Sequence, residues 1–424
     1  MISRIGDGLR WLALAAALQL VSGCAGVARG VTEAVIEESR RTVAGYCAVE
    51  GKAFVGIGGY RQPAKPLKLL MVHGVGDYRS GYSDALARRL ADELGFDQKS
   101  RLTKVLDLSI PRSALAHDEA LPGPVHVPLG QLRVSRFSQQ QGPEVMLVYE
   151  LLWNPLSLAE KQLLLFDASS ALNSQRASLN RDLKQLLNAH IADPLIYLGP
   201  TGNAIRSSVT QSLCTLADSR WDELPPSGRL ECDPGGLAFP RFGADPTVII
   251  SHSMGSRIVL DAVGDLASHV QGTHSAALLR QRVLPVFMLS NQLQLLQLGR
   301  PSPPVVDERA SYCGPLAPRA EERHLKRLEI VAVTDPNDLL SYPVPQAFVD
   351  DFIDSRLCAE LTNVAFTVTN PVDLFGIGQL AMPMDAHKGY LDHAELTKLL
   401  AHGLAAAPGI RGLRSCSRLA LEGD

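Results

Sequence analysis

The stretch "TVIISHSMGSRIVLDAV", Thr247 to Val263, decides how this chain is read. Val248 to Ile250 form a short run of β-branched residues, which suits a strand buried on both faces. Helical spacing begins almost at once, with Ile258, Val259, Ala262, Val263 and Leu266 along one side. Ser253 stands at the bend between them. A serine exposed on so sharp a strand-to-helix turn needs small residues two positions away on both sides, because strand and helix approach closely there. Gly255 meets that need on one side; on the other, where glycine is expected, stands Ser251, small but less so. Ser251 is itself the poorer nucleophile, since the residue two positions beyond it is Ser253.

A serine hydroxyl attacks only with a base to take its proton and an acid to orient the base. Both should follow later strands, in the order serine, acid, histidine. "LEIVAVTDPNDLLSYPVP" offers Asp335 or Asp338 after an apolar run. Asp338 is the better acid, because apolar residues follow it, whereas Asp335 before Pro336 reads as a turn-former. "MPMDAHKGYLDHAEL" offers the base. Asp392 and Glu395 form a capping signal that starts a helix near His393, which leaves His387 in the loop before it and puts His393 and His402 on the helix. His387 is therefore the expected base. An oxyanion hole needs two backbone N–H groups. Met254, next after the serine, supplies one, and "HGVGD" after the first core strand supplies the other, at Val75 between Gly74 and Gly76. His73 and His252 read as loop-shaping residues.

The same grammar recurs along the chain. "LKLLMV", "EVMLVYELLW", "RVLPVFMLS", "LEIVAVT" and "NVAFTVTN" are short apolar runs separated mostly by helix-like stretches such as "SGYSDALARRLADEL". Strands alternating with helices predict an α/β fold with a mainly parallel sheet covered on both faces. Asp222–Pro246 and Pro301–Pro318 are rich in proline and glycine and read as surface excursions. Leu156–Thr215 has leucine-rich helical faces, which serve either as ordinary packing helices or as a cap over the site. "LMVHGVGD", "TVIISHSMGS", "DPNDLLSYP" and "AHKGYLD" together resemble the α/β-hydrolase superfamily in its lipase and esterase-like branch. That resemblance implies a sheet of about eight strands and a Ser253–His387–Asp338 triad. The chemistry it implies is cleavage of a carboxylic ester through an acyl-enzyme, without cofactor or metal. Transfer of the acyl group to another alcohol, or a non-catalytic binding role on the same fold, are the alternatives.

The N-terminus adds a location. Arg4 and Arg10 precede the apolar run Trp11 to Val21, too short to span a bilayer but suited to an export signal. "VSGC", Val21 to Cys24, resembles a bacterial lipobox, which implies cleavage before Cys24 and acylation there. With Ala25 next, the resemblance implies an outer-membrane anchor facing the periplasm. The expected organisation is a signal over 1–23, a lipidated tether and N-terminal segment over 24–60, a catalytic domain over 61–405 with a helical and loop insertion at 156–246, and a tail over 406–424. Six further cysteines in an oxidising compartment suit disulfides, with Cys214–Cys232 the most local pairing and Cys313–Cys358 another. The 41 basic and 44 acidic residues nearly cancel and form no basic block, which argues against a nucleic-acid partner. The membrane and a small-molecule or lipid ester are the partners this implies.

Overall fold

A computed structural model describes residues 46–112, 125–139, 142–169, 174–233, 245–373, 379–404 and 416–418. The expected signal and Cys24 lie outside the described residues. The strands are β1 (Cys47–Gly51), β2 (Leu67–Val72), β3 (Asp97–Pro111), β4 (His126–Ser138), β5 (Val145–Leu152), β6 (Ser227–Leu230), β7 (Thr247–His252), β8 (Val283–Leu289), β9 (Arg327–Thr334), β10 (Ala359–Phe366), β11 (Val372–Asp373), β12 (Gln379–Leu380) and β13 (Ser417–Arg418). Eleven of them form one sheet in the order β13-β1-β10-β9-β8-β7-β2-β5-β4-β3-β6, and β11 pairs with β12 separately. The sheet is mixed and mostly parallel; antiparallel pairing is confined to β1–β10, β3–β4 and β4–β5. The α/β expectation holds, but the sheet is larger than the eight strands expected.

The apolar runs arise because the central strands are buried on both faces. Along β2, Leu70 and Val72 enter one core while Leu69 and Met71 enter the other. Along β7, Ile249 enters the first and Val248 and Ile250 the second. Alternation disappears when both sides are dry. The first core is covered by the helices Thr201–Asp218 and Gly255–His269, the second by Asp84–Glu93 and Ala394–His402.

Three boundaries move. Cys47–Gly51, expected in a tether, is a sheet strand registered against β10. Ser417–Arg418, expected in a tail, pairs with β1, and Cys47 is bonded to Cys416. Part of the expected surface excursion at 222–246 is β6, an edge strand parallel to β3. The pairings Cys214–Cys232 and Cys313–Cys358 are both present.

The segment after β5 divides in two. The helix Thr201–Asp218 is a core element, with Ile205, Val209, Leu213 and Leu216 buried. Its C-terminal carbonyl groups are met by Lys68, a fully buried lysine on β2 whose Nζ donates to Leu216 O at 2.7 Å and Ser219 O at 3.0 Å and pairs with Asp245 at 2.8 Å. A cation at that end is favoured by the helix dipole and by the unpaired carbonyls. The shorter helices Leu158–Ser169 and Ala192–Leu198 instead leave Leu163, Phe166, Leu195 and Leu198 exposed.

Candidate active site

β7 ends at His252, and the helix Gly255–His269 starts three residues later. Ser253 takes φ of 56°, the left-handed region that costs an L-residue on the order of 1 kcal/mol or more. The surroundings enforce that geometry. Ser253 N donates to Leu289 O at 2.9 Å, extending the β7–β8 ladder one step, and Ser256 N and Oγ both donate back to Ser253 O. A Cβ on Gly255 would lie 2.6 Å from Val72 O, and one on Gly74 only 2.4 Å from Ser253 Cβ. Glycine is required at both positions. Ser251 is fully buried, and its hydroxyl lies 3.5 Å from Phe287 O.

The three expected catalytic side chains meet, all of them buried. His387 Nε2 lies 2.9 Å from Ser253 Oγ, and its Nδ1 lies 3.0 Å from Asp338 Oδ1. These partners fix the tautomer: Nδ1–H faces the carboxylate and Nε2 accepts from the serine hydroxyl. Burial pushes the Asp338 carboxyl up, but hydrogen bonds from His387, Ser290 and the Leu340 N–H outweigh it and hold the group below the ordinary carboxylate range. His387 departs from expectation in one respect. It occupies the last turn of a short helix, Pro383–Lys388, and not a loop. Asp392 likewise is not the cap of the next helix; His393 is, through Nδ1 accepting from Leu396 N.

Two side chains in the relay escaped the sequence reading. Ser290, directly after β8, donates to Asp338 Oδ2 at 2.6 Å and has its Oγ 2.8 Å from His387 Nδ1. Like Ser253 it has positive φ, at 54°, and its N–H extends the ladder by donating to Val333 O. Tyr390 donates to Asp338 Oδ2 at 3.2 Å while accepting from Asp335 N at 2.5 Å. A polar residue directly after the apolar run neighbouring the nucleophile strand was the available signal for Ser290. Asp335 forms the turn expected of it. Its Oδ1 accepts from Asn337 N, and its Oδ2 binds Val368 N and Thr369 N.

The neighbouring histidines are wired as neutral groups. His252 donates from Nε2 to His387 O at 2.8 Å and lies 3.3 Å from the Tyr78 hydroxyl through Nδ1; burial lowers its pKa to about 4. His73 lies with Nδ1 2.8 Å from Gly74 O, accepts from Trp153 N at 3.3 Å, and stacks on the Trp153 and Tyr78 rings; burial lowers its pKa to about 3. Both shape the loops around the serine.

Met254 follows Ser253 directly, and Val75 follows Gly74, which abuts the serine. Among the described residues neither main-chain N–H has an acceptor, whereas the next one along, Gly76 N, is taken by Asp193 Oδ2 at 2.7 Å. Gly76 has φ of 110°, and a Cβ there would sit 2.9 Å from the His190 ring. The arrangement therefore offers a hydroxyl, a base and an oriented acid in one hydrogen-bond chain, with two unengaged N–H groups in the adjoining backbone. No protein family, curated protein or solved structure matches this chain.

Proposed function

We propose that this protein is a serine hydrolase of the α/β-hydrolase kind that cleaves carboxylic esters through an acyl-enzyme on Ser253. The observation that carries the reading is the hydrogen-bond chain from Ser253 Oγ through His387 to Asp338, at 2.9 and 3.0 Å, on a serine held at positive φ. In the first step Ser253 Oγ attacks the ester carbonyl carbon and passes its proton to His387 Nε2. Asp338 stabilises the imidazolium, and the N–H groups of Met254 and Val75 receive the carbonyl oxygen as it becomes an oxyanion. His387 returns the proton to the leaving alkoxide as the acyl C–O bond breaks. Water then repeats the sequence, with His387 as base, and frees the acid.

Exposed apolar side chains near the site in sequence, Leu339 beside the acid and Met382 before the histidine helix, support an ester with an apolar part. The three cysteine pairs support an oxidising compartment, and with the lipobox-like "VSGC" they favour a protein acylated at Cys24 and facing the periplasm from the outer membrane. A fluorophosphonate probe tests the chemistry: wild type should be labelled and Ser253→Ala should not. Equal labelling of the two folded proteins, or none of the wild type, defeats the proposal.

A further inference from the structure

A buried ion pair in the helical arm after β5 meets the loop that adjoins Ser253. Lys161, on the helix Leu158–Ser169, and Asp193, on the helix Ala192–Leu198, meet with Nζ 2.9 Å from Oδ2; the side chains are 5 % and 0 % exposed. The same Oδ2 accepts the Gly76 N–H at 2.7 Å, and Lys161 also pairs with Asp77 at 3.2 Å. The arm thus grips residues 76 and 77 from above, while Gly74 abuts Ser253 from below. Val75 lies between these two fixed points.

We infer that Asp193 and Lys161 are positioning residues for the oxyanion loop, with Asp193 aiming the Val75 N–H by anchoring the peptide beyond it and Lys161 cancelling the charge of that anchor. The inference rests on the hydrolase reading. The cancellation matters because a buried carboxylate one residue from the oxyanion site would repel the negative charge that develops there, and little solvent is available to screen it. It also accounts for a buried polar contact between the arm and the "HGVGD" loop, while Leu163, Phe166 and Leu195 of the arm face outward.

The test uses the full chain, a short p-nitrophenyl ester, and four variants: Lys161→Met, Asp193→Ala, Lys161→Arg and the double Lys161→Met/Asp193→Asn. Lys161→Met leaves the anion alone and should lower kcat about 10- to 100-fold with little change in KM, the pattern of an interaction made only in the transition state. Asp193→Ala releases Gly76 and should lose kcat similarly. Lys161→Arg keeps the charge and should retain most of the activity. The double variant removes both charges yet keeps an amide oxygen for the Gly76 N–H, so it should be faster than Lys161→Met; a merely structural role predicts that it is no faster. Wild-type kcat in folded Lys161→Met and Asp193→Ala overturns the inference and leaves the hydrolase reading standing. If Lys161→Met does not fold, Asp193→Ala against the double variant decides: the double must be the faster. Wild type inert toward ester and fluorophosphonate alike overturns both readings, since there is then no oxyanion to stabilise.

Discussion

The two halves of the sheet are built on different terms. In the parallel half, β2, β7, β8, β9 and β10 are buried on both faces, and the ends of β7, β8 and β9 deliver Ser253, Ser290 and the acid loop side by side. In the other half, β4 and β3 form a long antiparallel hairpin flanked by β6, with Leu106, Leu108, Leu132 and Val134 inward and charged residues such as Asp107 and Arg133 between them. One half carries the Ser253–His387–Asp338 cluster; the other extends the sheet and contributes to the first core. The lesson is that a site assembled at strand ends needs its strands locked from both sides, while a half-exposed wing needs only one apolar face.

That contrast is testable, and the largest effect should come from the parallel half. Asp338→Asn removes the carboxylate that fixes the His387 tautomer, and kcat should fall about 10⁴-fold with the fold intact. Asp335→Asn should retain turnover; if it alone abolishes activity in steady-state assays, the acid has been misplaced. A truncation in the wing, Leu132→Ala, should instead cost about 2–5 kcal/mol in urea unfolding, with unchanged kcat in the fraction that remains folded. Loss of kcat there would mean that the halves are not separable.

The pH response should also divide the molecule. His73 and His252 are held neutral in the fold, whereas the unfolded chain protonates near 6.5, so acid favours unfolding. Stability should fall as pH drops from 6.5 toward about 4, the value to which burial takes His252. His252→Asn should flatten that slope, and hydrogen exchange should show loss of protection near the triad before the hairpin. An unflattened slope would place the acid-sensitive group elsewhere. The smallest effect is expected at Ser251→Gly, which restores the residue usual before such a turn. Turnover and melting temperature should barely move, because the buried Ser251 hydroxyl makes only a long contact, 3.5 Å, with Phe287 O; a large gain in activity would show that the serine strains the elbow.

How much was legible follows from the same contrast. Double-sided burial writes continuous apolar runs, so β2, β5, β7, β8, β9 and β10 stood out, and with them Ser253, Asp338 and His387. The hairpin alternates apolar and polar residues, as in "KVLDLSI" and "QLRVS", and a search for runs passes over it although period-two alternation was there to find. His387 lies on a helix whose start the sequence does signal, since Pro383 stands at a first helical position that proline favours, but the helix is too short to show a period. Ser290 and the Lys161–Asp193 pair could not be seen: their partners lie far along the chain, and only the register of β8 and the docking of the arm bring them together.

The bond between Cys47 and Cys416 has a mechanical consequence. It closes nearly the whole folded chain, 369 residues in separation, into a covalent ring whose clasp lies at the outer edge of the sheet. A pull arriving from residues before Tyr46 reaches that clasp first. The load is then shared between β1 and the strand that returns beside it, so the edge resists being peeled away residue by residue. A protein held at one end by its leading segment would keep Ser253 in register while the point of attachment moves.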